Sequence, residues 1–390
     1  MKVGIEDICF YTANYVLDMA VLADVHGIEV EKFYQGIGQV EMSMAAPDED
    51  IVTLAAAAAK PIVENHDMSQ LRTVLVATES GIDQSKSAGV YVHNLLGLPS
   101  HCRVLEMKQA CYSATSALQM ACSLVARQPE QKVLVIATDI ARYDLNSSGE
   151  PTQGCGAVAM LVGANPKLLE IEPVSGLFCE DVMDFWRPNY RSTALVDGKY
   201  STKVYLRSLK QAWQDYQEQG GHSADTFSYF CYHQPFTRMA QKAHTHWLKQ
   251  VKKELSAEAI EQQLEPSLVY NRRIGNSYTA SMYIGLASLL DNTQENLDNK
   301  RIGLFSYGSG CVAEWFAAKV QPGYREYLRT AYHQQLLESR TAIDYPTYRR
   351  LYEFPNPTDG GDHQNPHETT GPFRLSAISQ HKRLYEKTSS

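Results

Sequence analysis

Thr73–Glu79, TVLVATE, decides the fold when read with Arg103–Cys111, RVLEMKQAC, and Phe227–His233, FSYFCYH. Each is a short apolar run ending on a side chain that can do chemistry. Runs of roughly four to eight apolar residues closed by polar or turn-forming residues read as strands buried on both faces. Thr73–Thr78, Lys132–Thr138, Ala157–Val162 and Arg301–Ser306 fit that pattern as buried parallel strands, with alanine-rich helical stretches between them. The alternation predicts a layered α/β chain. Helices cover both faces of a largely parallel sheet, and ligands gather beyond the carboxyl ends of its strands. Glu79, Cys111 and His233 fall at those ends.

The 390 residues leave room for two or three units, and two closely packed halves are the simplest arrangement. The strand–helix rhythm places the first half at 1–170 and the second at 222–390. Between them, 171–221 reads as an insertion whose EDVMDFWRPNYRSTALVDGKY mixes aromatics, charges and turn formers. An apolar content of 44% with 21% charged residues is that of a soluble globular protein. MKVGIEDICFYT alternates like a strand and lacks the parts of an export signal, and no run approaches the ~20 apolar residues of a membrane span. The expected location is the cytoplasm, with no membrane partner. Eight cysteines without a CxxC pair or matching histidines fit neither a zinc site nor a disulfide framework, so no metal is expected. The net charge of −8 argues against a nucleic-acid partner. Phe354–Pro372 is a Pro, Gly and Asn-rich loop, and the patterned FRLSAISQHKRLYEK after it is expected to fold back onto the body.

Cys111 opens CYSATSALQMACSLVA, a helical stretch of small residues. A helix N-terminus lowers a thiol pKa and favours a nucleophilic thiolate. The other seven cysteines read as inert. Glu79 ends an apolar strand, where burial raises a carboxylate pKa toward that of a general base. His233 is held at its strand end by Pro235. Asn276 and the turn Ser306–Gly310 offer an amide and glycine-freed N–H groups, the donors of an oxyanion hole. Arg238–Lys253, RMAQKAHTHWLKQVKK, is basic throughout, against the acidic whole. It suits a pyrophosphate, a phosphopantetheine phosphate or an acidic carrier domain, or else is a solvated helix face.

GIGQ at Gly36–Gln39, ATES at Ala77–Ser80, ACYSAT at Ala110–Thr115, GEPTQGCGAVAML at Gly149–Leu161, DFWRP at Asp184–Pro188, VDGK at Val196–Lys199 and LFSYGSG at Leu304–Gly310 occur in this order. With them the chain resembles the 3-hydroxy-3-methylglutaryl-CoA synthase family from about residue 3 to residue 353. The resemblance implies a thiolase-like αβαβα fold of two similar halves, a homodimer and a three-step reaction. It casts Cys111 as the acetyl-accepting nucleophile, Glu79 as the base on the acetyl methyl and His233 as the group polarising the acceptor. Tyr143, Asn276, Gly308 and Ser309 match substrate-binding positions, and Arg238 and Lys242 would meet the carrier or coenzyme A phosphates. No bound cofactor is implied; both acyl groups travel as coenzyme A or phosphopantetheine thioesters.

Within the family, ESGIDQSKS, HCRVLEMKQACYS and Tyr232–His233 with Ala243–His244 lean toward the branch that installs a β-branch on a polyketide held by an acyl carrier protein. LNSSGEPTQG leans away from it. The alternative is the mevalonate-pathway enzyme using acetyl-CoA and acetoacetyl-CoA. A ketosynthase or thiolase-type condensing enzyme is a further alternative, opposed by Glu79.

Overall fold

The computed structural model describes residues 1–388. One sheet is built from β1 (Val3–Thr12), β2 (Leu71–Ala77), β3 (Arg103–Met107), β4 (Lys132–Ile140), β5 (Cys155–Ala164), β6 (Leu169–Cys179), β7 (Phe227–Tyr232), β8 (Arg301–Gly308) and β9 (Val312–Val320). Their order is β7-β8-β9-β6-β1-β5-β4-β2-β3. The two halves meet at β1 and β6, where Gly4 faces Glu170 and Ile5 faces Leu169. A Cβ on Gly4 would stand 2.0 Å from the Leu169 carbonyl oxygen, so only glycine lets the halves join there.

Each half follows one scheme outward from that seam. Its first strand lies innermost, its last strand pairs antiparallel beside it, the next is antiparallel again, and the outer neighbour is parallel. Among the described residues the second half lacks only a counterpart of β3, the parallel edge strand of the first. The halves are thus similar, but the sheet is mixed. Ala157–Val162, expected to be parallel, lies in β5 and runs antiparallel to both neighbours. Arg301–Ser306, in β8, is parallel to β7 and antiparallel to β9. A strand buried on both faces is apolar whichever way its neighbours run, so its composition carries no direction.

The sheet faces are lined by α1 (Ile51–Asn65), α2 (Ala88–Leu96), α3 (Ser113–Arg127), α4 (Gly198–Glu218), α5 (Thr237–Gln250) and α6 (Ser281–Asn292). Helices α3 and α6 pack between the inner faces of both halves, with Ala114, Ala117 and Ala121 small enough for a close sandwich. The outer face of the first half is covered by α1 and α2, that of the second by α4 and α5. The result is five layers, αβαβα. Helix α1 starts on a capping box, with Asp50 and Thr53 each satisfying the other's backbone N–H.

The interval 171–221, read as an insertion, includes most of the core strand β6 and all of α4. Only the connection between them, with the two-residue pairing of Phe185–Trp186 to Leu195–Val196, stands outside the layers. The C-terminal tail does fold back. Phe373 packs into the outer core of the first half, Arg374 pairs with Asp48, and the Tyr385 hydroxyl donates to Asp50. Among the described residues no helix is long and apolar enough to cross a membrane.

Candidate active site

Cys111 lies two residues before α3, reached from β3 through Lys108–Ala110. Ala110 takes a left-handed φ of 44°, and the turn it makes brings Gln109 and Cys111 into a bridge. The second half closes on this turn through Gly308. A Cβ there would stand 2.5 Å from the Gln109 carbonyl oxygen and 2.7 Å from the Tyr112 nitrogen. Glu79 lies two residues past β2, and its carboxylate accepts a hydrogen bond from Cys111 Sγ at 3.1 Å.

Asp139, near the end of β4, ties the Glu79 turn to the second half. Its Oδ1 accepts from the Glu79 and Ser80 N–H groups, both at 2.9 Å, and from the Thr78 hydroxyl at 2.8 Å. Its Oδ2 accepts from the N–H and the hydroxyl of Thr279. Arg187 donates to the Glu79 carbonyl.

His233 follows β7 directly, and its N–H donates to the Phe305 carbonyl of β8 at 2.8 Å. Its Nδ1 is 2.9 Å from Ser281 Oγ, which already receives the Gln234 N–H. With Ser281 as the donor in that contact, the ring proton sits on Nε2, a donor for a substrate carbonyl. Asn276 caps the Tyr278 N–H with its carbonyl oxygen at 2.9 Å, which leaves its NH₂ as a donor. One cavity is walled by Cys111, Tyr143, His233, Asn276 and Ser309 together. Glu79 is not part of that wall and meets the cavity through its contact with the thiol. Gly308 serves the close approach described above.

Burial and the charge of Asp139 push Glu79 up to about 8. Burial raises the Cys111 thiol as well, and the neighbouring Glu79 charge raises it further. The helix N-terminus therefore does not yield a standing thiolate. At rest the sulfur keeps its proton and donates a hydrogen bond to Glu79. Burial lowers His233 to about 3, so its imidazole is neutral.

Arg238 and Lys242 lie outside this cavity. With Lys249 they form an exposed stripe on α5, and together with Arg272 they line a separate groove floored by Leu206 and Ile260. The two sites adjoin. Met239 and Phe236 wall the catalytic cavity, and the Lys242 ammonium lies 5.6 Å from the Phe236 ring. Of the rest of the basic stretch, His244 is buried against Tyr232 and Gln263, Lys253 pairs with Asp225, and Lys252 is exposed.

Sequence reading passed over Asp139, Arg187, Thr279 and Ser281. Asp139 carried the signal that exposed Glu79, a carboxylate at the end of an apolar strand. Arg187 lay inside the DFWRP motif. Thr279 and Ser281 look like any hydroxyls near a helix start.

A thiol and a buried carboxylate where two thiolase-like halves meet mark an acyltransferase. Residues 1–167 match the family description "Hydroxymethylglutaryl-coenzyme A synthase N terminal", and 169–249 and 245–344 its C-terminal counterpart. The hydroxymethylglutaryl-CoA synthase of Enterococcus faecalis is 41% identical over 352 residues, 90% of this chain and 92% of that one. The polyketide biosynthesis 3-hydroxy-3-methylglutaryl-ACP synthase of Bacillus subtilis is 36% identical over 376 residues, 90% of this chain and 88% of that one. A crystal structure of an HMG-CoA synthase complexed with CoA matches with a TM-score of 0.94 at 41% identity, covering 100% of both chains. The chain belongs to the hydroxymethylglutaryl-CoA synthase family.

Proposed function

We propose that this chain forms a 3-hydroxy-3-methylglutaryl thioester from an acetyl and an acetoacetyl thioester, both delivered on coenzyme A. Cys111 Sγ attacks the acetyl carbonyl, the donor C–S bond breaks, and the thiol proton leaves with the released carrier. Glu79 removes a proton from the methyl of acetyl-Cys111. The resulting enolate carbon attacks the β-ketone of the acceptor, and His233 donates to a carbonyl of that acceptor. The new alkoxide takes up a proton to become the 3-hydroxyl. Water then cleaves the Cys111 thioester and frees a carboxylate.

The observation that carries this reading is the 3.1 Å contact between Cys111 and Glu79 beside a neutral His233. A base so close to sulfur reaches the α-carbon of any acyl group placed there. The coenzyme A assignment is supported by Arg238, Lys242 and Lys249 in the groove next to the cavity, which suit nucleotide phosphates, while Arg272 there is paired with Glu265. Incubation with acetyl-CoA and acetoacetyl-CoA should release free thiol and hydroxymethylglutaryl-CoA in equal amounts. Thiol release without condensed product would refute it.

A second reading, β-branching of a polyketide on an acyl carrier protein, has its own support. Met183, Tyr190, Val196 and Tyr200 are exposed on the segment whose Phe185 and Val196 also wall the cavity, and with the basic stripe they offer an apolar and cationic face to an acidic carrier. Acetylation of Cys111 much faster from an acetyl carrier protein than from acetyl-CoA would select it. In either case we infer a homodimer, supported by the unpaired edge of β3 and the 56% exposed Leu105 on it.

A further inference from the structure

Tyr143, Phe185 and Tyr278 pack together as one aromatic wall of the cavity beside the thiol. Their ring centroids lie 6.1 Å (Tyr143 to Phe185), 6.3 Å (Tyr143 to Tyr278) and 5.7 Å (Phe185 to Tyr278) apart, all edge to face. Ala141 and Ala194 complete the group, and Cys111 packs against it. The walls come from three separate segments that are bonded to one another. The Tyr278 hydroxyl accepts the Arg142 N–H at 3.2 Å, and the Ala194 N–H donates to the Arg142 carbonyl at 3.0 Å. Phe185 pairs with Val196, and its neighbour Asp184 accepts from the Tyr307 hydroxyl and from the Gly310 N–H at 2.9 Å.

The rings and the base both meet the sulfur: Cys111 packs against the rings and lines one cavity with them, its Sγ donates to Glu79 at 3.1 Å, and Arg187, two residues past Phe185, donates to the Glu79 carbonyl. An acyl group on Sγ extends into the cavity these rings line, with its α-carbon in reach of Glu79, so whatever follows that carbon is set against the rings. In an acetyl group nothing follows but hydrogen. In a propionyl group a further carbon must fit among three aromatic edges, and extra methylenes in a packed apolar space are disfavoured.

We propose that this aromatic box sets the acyl length accepted on Cys111, admitting two carbons and turning away longer donors, with Phe185 as the limiting wall. The proposal rests on the reading of Cys111 as acyl acceptor and Glu79 as base. Tyr143 and Tyr278 are buried, whereas Phe185 is only half-buried on a two-residue ribbon, so it is the wall most readily changed without loss of the fold.

The test is the rate at which acetyl, propionyl and butyryl pantetheine thioesters acylate Cys111, followed by intact mass with site mapping. In the wild-type protein propionyl should be slower than acetyl by about 10–200-fold, the range for one methylene in an apolar pocket. Phe185→Leu should shrink that ratio by about tenfold. Ala194→Val, which narrows the box, should slow acetylation itself. Equal wild-type rates for the donors overturn the box alone, and so does a ratio unchanged in Phe185→Leu. Failure of every donor to label Cys111 overturns the box together with the reading beneath it. The wild-type series stands even if a variant misfolds.

Discussion

The two halves share one strand order yet bring unlike chemistry to their junction. The first supplies Glu79 and Cys111, an ionisable pair 3.1 Å apart whose protonation states depend on each other. The second supplies a neutral His233, the Asn276 amide and the turn at Ser309, donors that need not change charge. In the proposed reaction, proton transfer falls to one half and carbonyl polarisation to the other. Gly308 holds the two sets in register by letting a strand end of the second half lie against the nucleophile turn.

That division is most easily broken at the nucleophile. Cys111→Ser should abolish the acetyl adduct, and intact mass with site mapping would reveal any adduct moved to another cysteine. Glu79→Gln should accept acetyl within a few-fold of wild type while condensation falls by about 10²–10⁴, the usual worth of a positioned base. Equal losses in both steps would make Glu79 structural. His233→Ala should also spare acetylation and slow condensation by about 10²–10³, as expected for a lost polarising donor.

The pH dependence sharpens the same contrast. A base displaced from 4.5 to about 8 must lose its proton to act, so single-turnover condensation should climb about tenfold per pH unit below 8 and flatten above it. His233, neutral above about 3, should leave no limb in this range. Stability moves the other way. The folded protein holds the Glu79 proton that the unfolded chain has lost, so stability contributed at low pH is lost as pH rises from 4.5 through 8. Glu79→Gln should therefore gain melting temperature over wild type toward alkaline pH. The smallest expected effect is in the groove. Reversing Arg238 and Lys242 to Glu should raise KM for coenzyme A thioesters several-fold, leave pantetheine thioesters almost untouched, and lose its effect as salt screens the charges.

The layers and the convergence of Glu79, Cys111 and His233 on one place were legible because apolar runs ending on these residues break the rule that buried charge and polarity are avoided. Strand direction was not, since the uniform apolarity of β5 says nothing about its partners. Nor was the thiol's protonation state. The helix N-terminus argues for a thiolate, and what overrides it is the burial of the thiol and then the charge of Glu79 3.1 Å away, neither of which the sequence displays. The break at 171 also misled, because a strand broken by Pro173 and Gly176 looks like loop although it lies in the middle of the sheet.

The division of labour between the halves is tested most directly by exchange of the acetyl methyl hydrogens on Cys111 in deuterated solvent without acceptor, read as mass gain of the acetylated peptide. His233→Ala should exchange at nearly the wild-type rate and Glu79→Gln should not exchange. Exchange retained in Glu79→Gln, or lost equally in His233→Ala, would contradict it.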